Sequence, residues 1–224
     1  MTTIRTVAAH EVVRATFPRQ VTERDQIGMA AGKAIDSALA QFSHMFREGR
    51  RPTLSSVDRI ATETLDDELE ASMLRLEPAD RDRQIREITA VLRAFRGSEV
   101  MGLPRPRSRL ILIDGEVGIY AQPDYWNGRD RFYEMKSYHA DPIPPDVMLQ
   151  IRLFQLAFPG FRAALAEFDR RAPVVRPRIR EIEPVGPEET HRVLRIARDV
   201  ARASGREKVL EYVDDPVVSY AIES

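Results

Sequence analysis

The sequence predicts a mixed α/β fold in which the first hundred residues are mostly helical. Three observations lead there. Apolar residues recur at three- and four-residue steps through positions 26–95. The texture then changes to short β-branched runs separated by Asp-Gly and Asn-Gly turns between 109 and 138. After those runs, helical and extended patterns alternate to the C-terminus, without the regular βαβ repeat of a doubly wound sheet.

The first helix spans Gln26 to Phe46, with Ile27, Ala31, Ala34, Ile35, Ala38, Leu39, Phe42 and Met45 on one stripe. Gly49 closes it, and Pro52 prevents continuation. The second runs from Ser55 to Leu76, capped by Ser55 or Ser56 and striped by Ile60, Leu65, Leu69, Met73 and Leu76. Pro78 opens a third helix, which turns Ile85, Ile88, Val91, Leu92 and Phe95 inward and stops at Gly97.

Residues 101–108 form a proline-containing connector. Arg109 to Ile113 is a strand, Asp114-Gly115 a hairpin turn, and Glu116 to Trp126 the returning strand. Asn127 to Asp130 turns the chain again into a strand from Arg131 to Tyr138, giving a three-strand meander. A helix from Pro145 to Phe158 follows, then a strand within Val174 to Glu183. Gly186-Pro187-Glu188-Glu189 starts a helix reaching about Ala203, and Lys208 to Ser224 is a strand or extended arm. We read 1–224 as one unit: a helical part at 1–100, a sheet with its following helix at 101–185, and a C-terminal helix and tail at 186–224.

Composition removes several function classes. There is no cysteine, which excludes disulfides, zinc–thiolate sites, iron–sulfur clusters and a cysteine nucleophile. Any metal must be held by oxygen or imidazole, and the four histidines are scattered, so oxygen is favoured. No apolar run approaches the roughly 20 residues of a membrane span. The stretch Met1 to Ala15 is interrupted by Arg5, His10, Glu11 and Arg14, unlike a secretory signal, so the expected location is cytoplasmic with no membrane partner. The formal net charge is −1, which argues against non-specific coating of DNA but allows a local basic groove. Of the 34 basic residues 31 are Arg, and the three Lys are Lys33, Lys136 and Lys208. A composition bias towards Arg accounts for most of this skew, and within it the retained lysines are candidates for places that need an ammonium.

One of those lysines sits in a chemical constellation. Pro123-Asp124 precedes Glu134-Met135-Lys136, with Asp124 ten residues ahead of Glu134. On a strand, Glu134 and Lys136 share a face while Met135 points away. If the intervening turn takes about five residues, Asp124 pairs opposite Glu134. Two carboxylates so close repel unless a cation lies between them. A hard divalent ion, Mg²⁺ or Mn²⁺, suits Asp124, Glu134 and the backbone carbonyl of Met135. Lys136 would orient the attacking water and offset charge developing on a phosphate.

Asp124, Glu134, Lys136 and the following helix resemble the PD-(D/E)xK nuclease superfamily, in particular its RecB-like and Cas4-like exonuclease branch. That branch carries Gln-x-x-x-Tyr on the next helix, and Gln150-Ile-Arg-Leu-Phe154 stands there with Phe for Tyr. Its Gly-x-x-x-His element is matched by Gly32-Lys33-Ala34-Ile35-Asp36, with Asp36 where the His belongs. The resemblance covers 26–46 and 109–158 and leaves 55–96 and the C-terminal third unassigned. It implies a restriction-endonuclease-like mixed sheet flanked by helices, with Asp124, Glu134, Lys136 and Gln150 catalytic. Asp124, Glu134, the Met135 carbonyl and Asp36 would hold the metal. It further implies hydrolysis of DNA, as an exonuclease on ends or single strands. A structure-selective or double-strand endonuclease is a rival, as is a non-catalytic nucleic-acid-binding or assembly module on the same fold.

Other features add expectations. Tyr125 and Trp126 are candidates for stacking on unpaired bases. The alternating sets Arg105, Arg107, Arg109 and Arg176, Arg178, Arg180 are candidates for tracking a phosphate backbone. His139, just past Lys136, is a candidate to assist.

Overall fold

The computed structural model describes residues 2–210 and 214–222. In chain order its elements are β1 (Thr3–Ala8), α1 (Ala9–Thr16), α2 (Glu23–Arg47), α3 (Leu54–Ala71) and α4 (Pro78–Phe95). There follow β2 (Arg109–Ile113), β3 (Val117–Ala121), β4 (Tyr125–Trp126), β5 (Arg131–Lys136), α5 (Pro145–Ala157), β6 (Arg162–Phe168) and β7 (Pro177–Ile182). The chain ends with α6 (Pro187–Ser204), β8 (Arg206–Val209) and β9 (Val217–Tyr220). The mixed α/β class is observed, with helices dominating the N-terminal part.

Local chemistry sets the helix ends. Thr22 caps α2 by accepting from the Asp25 N–H, while Asp25 reaches back to the Thr22 N–H, a reciprocal capping box. Thr53 caps α3 by accepting from the Ser56 N–H at 3.2 Å, so the cap lies before the serines expected to provide it. Proline occupies the first turns of α4, α5 and α6, where its missing N–H costs nothing.

The strands divide between two sheets, ordered β8-β1-β3-β2-β9 and β4-β5-β6-β7. The expected meander is therefore corrected. Its middle strand breaks at Gln122-Pro123-Asp124, leaving β3 in one sheet and β4 in the other. Pro123 has no N–H to continue a ladder, and the Gln122 side chain leaves the strand to donate to the Pro106 carbonyl at 2.8 Å. Two strands escaped the sequence reading. β1 runs parallel to β3 and pairs antiparallel with β8. β6 lies between β5, to which it is parallel, and β7, to which it is antiparallel.

Sheet β4–β7 is covered on both sides. One face packs on α2, α3 and α4 through Tyr125, Tyr133, Met135, Ala164, Ala166 and Phe168. The other meets α5 through Phe132, Ala163 and Leu165. Double coverage buries the four inner residues of β5, Phe132 to Met135, with Glu134 among them. Phe132 is fully buried and contacts Phe154 and Phe158 at ring-centroid distances of 6.3 and 5.9 Å. Among the described residues, no helix is long and apolar enough to cross a membrane.

Candidate active site

The β4–β5 hairpin is built by its turn. Asn127 Oδ1 accepts from the backbone N–H groups of Arg129, Asp130 and Arg131, and Gly128 takes a φ of 73° that a side chain would resist. The resulting five-residue loop pairs Trp126 with Phe132 and Tyr125 with Tyr133. Continued by one residue, that register sets Asp124 opposite Glu134.

Because β4 stops there, β5 beyond Tyr133 has no partner strand on this edge. The Met135 N–H is instead taken by Asp124 Oδ2 at 2.9 Å. In an extended strand a residue's N–H and C=O point to one edge, so the Met135 carbonyl also faces the Asp124 side. The connector before β2 closes this edge. The Trp126 N–H donates to the Pro104 carbonyl at 3.0 Å, which sets Arg105 beside the acid, with Nη2 3.5 Å from Asp124 Oδ1.

Glu134 and Lys136 project from the α5 face. Glu134 is buried, and Lys136 Nζ donates to its Oε1 at 2.6 Å and to Gln150 Oε1 on α5 at 3.3 Å. Burial pushes the Glu134 carboxyl up to about 8, with Asp124's charge adding to the shift and Lys136 opposing it. Burial alone would favour a neutral Lys136 amine, but the charges of Glu134 and Asp124 outweigh it and hold the ammonium above its usual range. The pair titrates as one unit: the ammonium persists, and the acid beside it resists ionisation.

On the opposite face of the sheet, α2 brings Asp36 to a small cavity of about 130 Å³, which Ser43, Arg47, Arg105, Asp124 and Met135 also line. Asp36 keeps an open side to solvent, yet the surrounding walls desolvate its carboxyl. That desolvation, with Asp124's charge next, raises it to about 7. Asp124 thus stands at the sheet edge as the electrostatic neighbour of both Glu134 and Asp36.

The donor set suits a hard divalent ion: carboxylate oxygens and a backbone carbonyl, with Glu134 and Asp36 held back from ionising by burial first and by Asp124's charge second. No group of three His, Asp or Glu side chains positioned to hold one metal ion occurs among the described residues. Two carboxylates with a carbonyl match the way Mg²⁺ is usually held, most of its shell remaining water.

Several expectations are corrected. Tyr125 is buried beside Phe95, and Trp126 stacks on Phe161 at 5.9 Å, so both aromatics serve packing. Phe154 is buried against Phe132 and presents no surface at the site. Gly32 has nothing within 4 Å of an added Cβ, so close helix packing is not its role. Of the arginine sets, Arg109 is tied to the Ala157 carbonyl and lies over the Phe158 ring at 4.4 Å. Arg180 turns inward to Glu167 at 2.7 Å, and Arg178 Nη1 lies 2.6 Å from His139 Nε2. His139 packs through Nδ1 against the buried Glu167 at 3.1 Å. Glu167 is the β6 register partner of Lys136 and went unnoticed because β6 did. Arg47 was also missed; as a helix-end Arg it carries no signal in sequence.

No protein-family model matches the chain, and no curated protein matches it. Among solved structures, it is similar to the protein titled SSO0001, with 13% identity and a TM-score of 0.38 over 92% of this chain and 79% of that one. It is also similar to a "Putative exonuclease" from Eubacterium rectale, with 13% identity and a TM-score of 0.40 over 88% of this chain and 92% of that one. Likeness at this level assigns neither a family nor an activity.

Proposed function

We propose that the chain is a Mg²⁺- or Mn²⁺-dependent deoxyribonuclease that hydrolyses phosphodiester bonds, acting as an exonuclease on DNA ends or single strands. The observation that carries this reading is the placement of Asp124 opposite Glu134, with Lys136 bonded to Glu134 at 2.6 Å and to Gln150 at 3.3 Å. Asp124, Glu134 and the Met135 carbonyl would hold the ion, with Asp36 beside them. When bound, such an ion polarises a phosphoryl oxygen and lowers the pKa of a water.

The protein's own groups do the rest. Lys136 orients the attacking water and offsets charge developing on the phosphate. Gln150 accepts from Lys136 and limits where the ammonium can swing. Arg105, beside Asp124 and exposed, offers a guanidinium to an adjoining phosphate.

A second reading, a nucleic-acid-binding module without catalysis, is favoured by the ammonium of Lys136 already being engaged by Glu134. End-labelled single- and double-stranded DNA incubated in Mg²⁺, Mn²⁺ or EDTA separates the two. Metal-dependent cleavage supports the nuclease, and the product ladder distinguishes end digestion from internal cuts. Binding that ignores metal and yields no product supports the module.

A further inference from the structure

A second cationic feature sits at the carboxyl end of β6. Arg170 lies two residues beyond that strand, and its N–H donates at 3.2 Å to the carbonyl of Ser137, the residue that follows Lys136. Its side chain is only 9% exposed. Among the described residues its guanidinium makes one ionic contact, Nε to Glu87 Oε2 at 3.5 Å, and Nη1 is buried with no hydrogen-bond partner. Gln84 on α4 is 7% exposed, and its Oε1 is equally without a partner. Both line a cavity of about 620 Å³ with Ile27, Asp80, Arg83 and Glu87.

Buried polar groups are ordinarily satisfied, and a buried guanidinium with its fork unfilled stands out. The two acids do not fill it. Arg83 binds Asp80 at 2.8 Å and approaches Glu87 at 4.0 Å, so Asp80 is taken by Arg83 and Glu87 is shared between Arg83 and Arg170. With Arg171 also on the wall, three guanidiniums line the cavity beside two carboxylates, and Asp169, next to Arg170 in the chain, adds its charge without a hydrogen bond to the open Nη1. An oxyanion with several acceptor oxygens completes such a site, and the volume exceeds what a lone ion needs.

Its position suggests where that oxyanion comes from. Gly28 lies on the cavity wall and on α2, eight residues before Asp36, which is about 12 Å along the helix axis. We propose that the Arg170 cavity binds a phosphate group, supplied by the nucleic-acid strand engaged at Asp124 and Lys136. The choice of a strand rests on the nuclease reading above; the choice of phosphate does not.

The test uses the whole chain in EDTA at constant ionic strength. Inorganic phosphate and a mononucleotide are titrated while the melting temperature is followed, and a labelled single-stranded oligonucleotide is titrated by anisotropy. Gln84→Glu places a carboxylate in the cavity as an internal occupant for Arg170, and Arg170→Gln removes the fork. Phosphate should raise the melting temperature of the wild type and have no effect on either variant. Oligonucleotide affinity should fall about tenfold in Gln84→Glu, and phosphate should compete with the strand. A wild type indifferent to phosphate, or a Gln84→Glu variant with the full phosphate response, overturns the site. Phosphate binding lost in Gln84→Glu with oligonucleotide affinity unchanged overturns the strand as its source. Lys136→Ala should keep the phosphate response, so loss of cleavage and loss of the cavity are read separately.

Discussion

Asp124 Oδ2 accepts a hydrogen bond from the Met135 backbone N–H at 2.9 Å, in the place where the next rung of the β4–β5 ladder would have been. One acid therefore replaces a strand residue as the acceptor on this edge. The strand ends at Pro123-Asp124 and the Asp124 carboxylate takes the open rung, which together with Arg105 at 3.5 Å from its other oxygen fixes it relative to Glu134. An Asn keeps the acceptor and loses the charge. Asp124→Asn should fold like the wild type, melting within a few degrees of it, while losing Mn²⁺ binding and cleavage; calorimetric titration with Mn²⁺ reads the difference. Unchanged Mn²⁺ affinity would remove Asp124 from the metal site.

Lys136 is the test of ammonium against guanidinium. Its Nζ fits between Glu134 Oε1 and Gln150 Oε1, a gap suited to a compact charge on a flexible stem. Lys136→Arg should lose at least about 100-fold in kcat despite keeping the charge. Activity rescued by Arg would show that only the charge matters.

Gln150 acts through Lys136, so it is a positioning residue. Gln150→Ala should lower kcat by about tenfold with little change in KM, because one long hydrogen bond from the ammonium to the amide oxygen is lost. A change confined to KM would place Gln150 on the substrate instead.

The crowded acids give the metal-free protein a pH signature. Folding raises Glu134 from 4.5 to about 8 and Asp36 from 3.8 to about 7. Acids raised on folding stabilise the protein fully below their unfolded values, and that contribution is lost as pH rises through the folded ones. In EDTA the melting temperature should fall between about pH 5 and pH 8.5, and Mn²⁺ should reverse the fall most strongly at the alkaline end. Asp36→Asn should flatten part of this slope. A metal-free melting temperature that climbs across the same range contradicts the raising of these two carboxyls by burial and by Asp124's charge.

Phe154 stands where the resembled nucleases carry Tyr, but it is buried against Phe132. Phe154→Tyr should therefore bring no gain in cleavage and should destabilise by about 1–3 kcal/mol, since the new hydroxyl must be buried without an evident partner. A urea melt and a cleavage assay on the same preparation check both halves.

Helices α2 to α6 were legible because each carries an apolar stripe and a proline or a capping residue at its start, whereas the short α1 has neither a proline nor a side-chain cap and was not read. The register of Asp124 against Glu134 was legible from the Asn127-Gly128 turn. β6 was not, because Arg-Ala-Ala-Leu-Ala-Glu-Phe lacks the β-branched residues that mark strands. Its Ala164 and Ala166 are small where the α2–α4 layer packs on the sheet, a constraint of tertiary packing that leaves no local signal. β1 did carry a local signal in the β-branched Thr3, Ile4, Thr6 and Val7, but its place between β3 and β8 depends on partners distant in sequence. Asp36 was located only through resemblance; its link to Asp124 arises where α2 crosses the sheet edge. Of the expected tail, residues 211–213 and 223–224 lie outside the described residues, and the rest supplies β8 and β9.

The most direct measurement is Mn²⁺ binding and DNA cleavage compared in the wild type and Lys136→Ala. The account predicts that the variant still folds and still binds Mn²⁺ through Asp124 and Glu134, yet cuts neither single- nor double-stranded DNA. Cleavage by Lys136→Ala at the wild-type rate, in the same metal, would contradict it.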